Sequence, residues 1–505
     1  MQDAVLSETG GARPPSYALT IARKELSEIL RDGRFLWTAL IMAVLLLAGL
    51  VTGAERYAAY SAMQTHAQET SNEQFYTQGD KNPHSGAHYG NYAFLQAGPL
   101  SFFDNGVSQF AGSFVFMEAH KQNLALAPPA GDNSAVVRFG QFNGAMVLQV
   151  MMPLLIIFLG FSAFSGERER GTLRQLMSIG VPRTSLLWGK ALGIGAAAAL
   201  VIAPCIVVGA LVISMLHVTP AGDAFWARVG LMTLAYTGYG LIFLFVTLAI
   251  SALASSPRAA LIGLVGFWAF SVFLAPKAAS EISKVMAPSP SLGQFQAELQ
   301  ETRRVGLGGP PPRARLAAYR QSLLDEYGVE DVSQLPIYWV STSMQFLETM
   351  DHEFYDYHYG RLNQAYLDQR RIQDRIGLIA PVLPLSSLSM GLAGTDLLHQ
   401  NVFTGAAEQA RRDMVTMMNS YLSEMAVSFN ANLASNQNIS METNDRVLVA
   451  DEEVFSRVPP FHYEPPPLSD VLKEYRWSFM VLAVWLVLSL VAAHLAVARL
   501  SPVSR

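Results

Sequence analysis

Residues 351–360 read DHEFYDYHYG, and two histidines among acidic and aromatic side chains raise the question of a metal site. The spacing argues against one. A zinc-protease pair places two histidines four residues apart on one helical face. Here His352 is followed at that distance by Asp356, and His358 lies about 240° further around a helix. The segment reads instead as the acidic and aromatic face of an amphipathic helix. His217, His399 and His462 are isolated, so no metal ligand set is expected. The chain has no G-x-S-x-G and no Cys–His nucleophile pair. Its one cysteine, Cys205, falls within an apolar run and reads as a small buried hydrophobe. There is also no G-x-x-x-x-G-K-[ST], so the chain does not cradle nucleotide phosphates by itself. A non-catalytic chain without a cofactor of its own is expected.

The remaining charge-dense feature is GERERGTLRQLMSIGVPRTSLLWGK, residues 166–190, where Glu167, Arg168, Glu169 and Arg170 stand in a row between two apolar runs. Gly166 can end a preceding helix. Glu167 and Glu169 then fall near the positive end of a new short helix, where an acid gains about 0.3–1 kcal/mol. Thr172, Leu173, Leu176 and Met177 give that helix a narrow apolar side, and Val181-Pro182 closes it. Arginines alone are what any short cytoplasmic loop retains; the acidic pair fits a protein partner that receives it.

The elements that must hold this segment are membrane helices. The 505-residue chain is 51% hydrophobic and 15% charged, too oily for an ordinary soluble protein. A span needs about twenty apolar residues to cross roughly 30 Å of hydrocarbon. Six runs qualify: Phe35 to Gly53, Gly144 to Phe164, Leu186 to Leu216, Val229 to Leu253, Ala259 to Ala275 and Trp477 to Ala498. The first begins after more than thirty residues and exceeds a usual signal h-region, so it reads as an uncleaved signal anchor. Six crossings put both termini on one side. With that side inside, residues 1–34, 165–185 and 499–505, the short loop bearing Arg258, and Lys190 near a span end hold thirteen Lys and Arg against seven Asp and Glu. The whole chain is −5, so the other side is strongly acidic, and the positive-inside rule favours N-in, C-in.

This topology leaves residues 54–143 and 276–476 as two extracytoplasmic domains. The first lacks sustained periodicity and reads as a loop-rich lobe without recognisable chemistry. The second reads as mostly helical: SLGQFQAELQETRRVG and ARLAAYRQSLLDEYGV flank a GLGGPPPR break. A long run follows in which Phe346, Met350, Phe354, Tyr357, Leu362 and Tyr366 form a stripe. IGLIAPVLPLSSLSMGLAGTDLL is a seventh oily stretch. Pro381 and Pro384 break it and three serines dilute it, so it reads as a helix at the membrane surface or in the domain interior. ANLASNQNIS reads as a loop and RVPPFHYEPPP as an extended return to the last span.

Inside the spans ionisable groups are scarce. Lys190 and Arg228 lie near span ends and are expected to snorkel, leaving His494 as the exception. Without mid-membrane carboxylates a proton- or ion-coupled transporter is disfavoured. Gly238, Gly240, Gly263 and Gly266 offer sites of close helix approach.

The motif E-R-E-x-G-T-L after the second of six spans, followed by an Arg and a Lys, resembles the permease subunit of type-2 ABC transporters. In that family the segment is a coupling helix that docks into a groove of the cytoplasmic ATPase. The resemblance implies that Glu167, Arg168, Glu169, Arg170, Gly171, Thr172, Leu173 and Arg183 contact the ATPase or shape the helix that does. YALTIARKELSEILRDGRF agrees, since Leu19, Ala22, Leu26, Ile29 and Leu30 share one face, with Arg23 and Arg31 elsewhere. Such an interfacial helix is a family feature. SLSMGLAGTDLLHQNVFTGAAEQARRDM and RVPPFHYEPP resemble a bacterial subfamily with a large domain of unknown function between its last two spans. The family implies two copies of a separate ATPase holding ATP and magnesium, a second permease as homodimer or heterodimer, and the bacterial inner membrane. No nucleic acid is expected. Two functions follow: export of a lipidic, peptide or amphiphilic cargo, or mechanotransmission that relays ATPase motion to an envelope partner without moving cargo.

Overall fold

The N-terminal amphipathic stripe folds as helix α1 (Tyr17–Arg31) in the computed structural model, which describes residues 17–98, 100–126, 142–215, 224–428 and 448–500. The fold is mainly α, and among the described residues six helices are long and apolar enough to cross a membrane. The first is α2 (Gly33–Tyr76), which does not stop at the end of the apolar run. No proline or glycine follows Gly53 before its end, and Ala, Glu, Gln and Met carry it on. The segment after the first apolar run is therefore less loop-rich than expected. It continues as α3 (Pro83–Tyr89), β1 (Asn91–Phe94), α4 (Ser108–Ala111) and β2 (Phe114–Met117), with β1 and β2 paired antiparallel.

The second span is α5 (Gly144–Gly160), capped by the Asn143 side chain, which accepts from the Met146 amide at 2.8 Å. Two short helices follow, α6 (Ser165–Glu169) and α7 (Thr172–Ser178), so Gly166 lies inside a helix rather than ending one. The next spans are α8 (Arg183–Met215) and α9 (Phe225–Leu253). The fifth joins α10 (Pro257–Ala269), a π turn over Phe270–Leu274, and α11 (Ala275–Met286).

Between the fifth and sixth spans lie α12 (Leu292–Val305), α13 (Pro312–Tyr327) and α14 (Trp339–Ile376), matching the expected helices and break. Of the stripe on α14, Met350, Phe354 and Leu362 are buried, but Tyr357 and Tyr366 are exposed and Tyr355 is buried instead. The seventh oily stretch forms α15 (Val382–Ala393). At about 1.5 Å per residue it is too short to cross a bilayer. It then leads into α16 (Leu397–Ser428). ANLASNQNIS lies outside the described residues. After α17 (Glu452–Phe455) the proline-rich return is irregular as expected, and α18 (Leu468–Glu474) precedes the last span, α19 (Arg476–Ala498).

The main core is shared by the spans and α15, whose Leu385, Leu388 and Leu392 join it. A second core unites the two large inter-span segments: Phe75 of α2, Val115 of β2, Phe403 and Met418 of α16, and Phe455 of α17. Arg228 does not snorkel. Its guanidinium donates to the carbonyls of Gly391 and Leu392 at 3.3 Å and of Pro466 at 3.0 Å, closing the C-terminal end of α15. The indoles of Trp477 and Trp485 likewise donate to the carbonyls of Asp374 and Gly377 at the end of α14.

Of the four glycines expected at close helix approaches, Gly240 and Gly263 are in ordinary packing contact, where a Cβ would lie 3.5 Å from Met152 and 3.7 Å from Ile250. A Cβ at Gly238 or Gly266 would meet nothing within 4 Å. At Gly189 it would lie 2.6 Å from the Ile21 side chain and at Gly193 2.6 Å from that of Glu25. This G-x-x-x-G pair is the bed on which α1 lies against α8. Gly193→Leu is expected to lower stability by about 1–3 kcal/mol through overpacking. Gly266→Ala should stay within about 0.5 kcal/mol of the parent. Thermal melting of both in the same lipid nanodisc checks this.

Candidate functional site

The charged segment 166–190 gathers at one end of the bundle with α1, the α9–α10 turn and the end of α19. Short helices α6 and α7 meet at Gly171, whose φ of 77° is a left-handed conformation that suits glycine. The Thr172 hydroxyl donates to the Glu167 carbonyl at 3.3 Å across that kink.

The two acids of the segment part company there. Glu167 is 3% exposed, whereas Glu169 is at the surface. Glu167 faces Lys190 of α8, which is 1% exposed and donates to its Oε1 at 2.9 Å. Lys190 also donates to buried Glu25 of α1, and Lys24 approaches Glu167 Oε1 at 3.6 Å from the rim. Lys190 is thus enclosed between two carboxylates, with Lys24 and its own partner Glu28, 3.3 Å away, at the rim. Lys24, half-buried, is raised above the ordinary lysine value: burial opposes this, and the acids Glu167, Glu25 and Glu28 outweigh it. Lys190 therefore does not snorkel, because α1 and α6 supply its neutralisation inside the protein.

Arg168 is half-buried and donates to the carbonyls of Ala252, at 2.6 Å, and Ala254, where α9 ends and its carbonyl groups lack helical partners. Leu173 is 2% exposed and packs α7 into the main core. Arg183 donates to the Leu500 carbonyl at 3.0 Å, tying the start of α8 to the end of α19. Arg170, Gly171, Arg174 and Ile179 are exposed, Ile179 at 74%. Of the eight residues implied for coupling, Glu167, Arg168 and Leu173 thus hold the element in place; Glu169, Arg170 and Gly171 face outward.

On α1 the apolar stripe divides. Ala22 and Ile29 are buried against α8 and Leu26 is half-buried, while Leu19, Arg23, Leu30 and Arg31 are exposed. The sequence reading missed Glu25, although its spacing from Ala22 and Ile29 puts it on the buried face.

A family model described as "ABC-2 family transporter protein" matches residues 19–404. The chain belongs to that family. It is a type-2 ABC permease subunit, a multi-pass inner-membrane protein. A probable ABC transporter permease protein, NosY, of Pseudomonas aeruginosa is 33% identical over 126 residues, which is 25% of this chain and 45% of that protein.

Lys190→Met in this permease would leave two buried carboxylates without their cation, a loss of about 3–5 kcal/mol. The expected result is a markedly lower melting temperature, with partial recovery when Glu25→Gln and Glu167→Gln are added.

Proposed function

We propose that this permease is the non-catalytic membrane half of an ATP-driven exporter, with the α1, α6 and α7 end in the cytoplasm and the two large inter-span segments outside. Charge supports the orientation, since Lys and Arg gather at that end. A separate ABC ATPase, in two copies, binds ATP and magnesium and docks on the exposed side of α6 and α7, and two permeases pair across the membrane.

One observation carries the coupling role. The kinked α6–α7 element is fastened to three different partners: α8 through Glu167 and Lys190, α1 through Lys190 and Glu25, and the end of α9 through Arg168. A push on Glu169, Arg170 or Ile179 is thereby delivered to α1 and two spans together rather than absorbed by a loop. Leu19 and Leu30 on the outer face of α1 suit lipid contact. An apolar cavity of about 350 Å³ between α2, α5, α8 and α9, lined by Leu46, Met152, Ile156 and Trp226, suits an apolar or amphiphilic cargo.

Mechanotransmission is the second reading, favoured by the way spans run into the outer segments. Helix α2 continues unbroken from its apolar part to Phe75 in the second core, and Arg228 and Trp477 join the ends of α9 and α19 to α15 and α14. Such continuity relays motion to an envelope partner.

Glu169→Lys combined with Ile179→Asp should leave melting unchanged while reducing ATPase stimulation about tenfold or more, equivalent to about 1.4 kcal/mol of docking energy. Undiminished stimulation would remove the coupling assignment. In vesicles holding only permease and ATPase, ATP-dependent movement of an amphiphile favours export; ATP turnover without movement favours the relay.

A further inference from the structure

Far from the coupling end, three histidines that are dispersed in sequence meet. His84 and His88 lie one turn apart on α3, and His120 follows β2. Their ligand atoms all lie within 4.8 Å of one another, and the three ring centroids are 4.9–5.0 Å apart.

The partners of these rings fix where their lone pairs point. His84 Nδ1 is 2.8 Å from the Asn419 Oδ1, and the Asn419 amide nitrogen donates to Gln345 at 2.9 Å, so His84 carries its proton on Nδ1. His120 Nδ1 is 2.5 Å from Glu348 Oε1, which places its proton there as well. Both Nε2 atoms are then bare acceptors, and they face each other at 3.0 Å. Two lone pairs at that separation repel unless a cation lies between or beside them.

The surroundings hold that arrangement. His120 is the only non-glycine among the described residues with positive φ, 62°, and its backbone is fixed on both sides. Its amide donates to Glu348 Oε1 at 2.8 Å, and its carbonyl accepts from the Tyr355 hydroxyl at 2.8 Å. A backbone outlier held this firmly marks a site where orientation matters. Glu348 is 0% exposed, and its Oε2 has no hydrogen-bond partner, with Arg411 3.6 Å away. Carboxylate and amide partners behind the imidazoles are the outer arrangement that metal-binding histidines use to fix tautomer and ring direction.

We propose that His84, His88 and His120 bind one divalent transition-metal ion of the zinc or copper(II) class, with Asn419 and Glu348 orienting two of the ligands. Imidazole nitrogens suit these borderline ions rather than magnesium or calcium. Bonds of about 2.0–2.1 Å in a tetrahedral site set neighbouring nitrogens about 3.3 Å apart, close to the His84–His120 separation. His88 is exposed and can swing the remaining distance. Three ligands at a surface leave a fourth position open, so the ion is exchangeable rather than sealed in. All three ligands come from the segment between the first two spans, and both orienting residues from α14 and α16. The ion therefore stiffens the junction between the two inter-span segments.

The test uses the full-length permease in nanodiscs, stripped with a chelator and titrated separately with Zn²⁺ and Cu²⁺, with bound metal counted by mass spectrometry after gel filtration. One ion per chain is expected, together with a rise in melting temperature on loading. His88→Ala, at an exposed position, should melt like the parent without metal yet lose more affinity than the about 10- to 100-fold expected for Glu348→Gln. His66→Ala, an exposed control on α2, should bind as the parent does. Absence of bound metal in the parent would overturn the proposal. Equal binding by His88→Ala would overturn it too.

Discussion

An ammonium group enclosed between membrane helices with 1% exposure needs close counter-charges, and Lys190 imposes that condition on the whole end of the bundle that holds α1, α6 and α7. Desolvating an ion costs several kcal/mol even after relaxation, and only close counter-charges offset it. Glu25 and Glu167 supply them from different elements, so solvating one cation fixes both α1 and α6 on α8. Close packing is part of the same device. Without Gly189 and Gly193, α1 would stand too far from α8 for Glu25 to reach the lysine.

The other end of the bundle follows the same logic with neutral and acidic groups. Asp104, fully enclosed, accepts from the Gly106 amide at 3.0 Å and from the Ser389 hydroxyl of α15, and burial pushes its carboxyl above the usual range. Ser389 meets Tyr236 of α9 at 2.9 Å. Asp396 is also buried, which would raise it, yet the His399 ring and the Tyr475 hydroxyl hold it below the usual carboxylate value. Tyr236 and Tyr475 thereby join the spans α9 and α19 to α15 and to the start of α16.

The spans and the long helices between them were legible because each is a local pattern. Apolar length gave the second, third, fourth and sixth candidate membrane helices to within a few residues, while the first and fifth run on to Tyr76 and Met286; the GLGGPPPR break fell between α12 and α13. Composition around Gly53 marked where apolar residues stop, but α2 continues in polar residues because nothing there terminates a helix. In residues 166–190 a short amphipathic helix was legible, but its division at Gly171 into α6 and α7 and the direction of its acids were not. Glu167 and Glu169 are two residues apart, and one turns inward to Lys190 while the other faces out.

By itself the sequence determined the membrane class, the number of helices apolar enough to span, the charge asymmetry and the charged segment after the second of them, because hydropathy and helix propensity are sums over neighbouring residues. Tertiary structure alone decided that Lys190 is paired rather than snorkelling, that glycines 189 and 193 rather than 238 and 266 carry the close packing, and that His84 meets His120 and Asn419. Those are coincidences in space. His84 and Asn419 stand 335 positions apart, and no local pattern records a contact made only after the chain has crossed the bundle and returned.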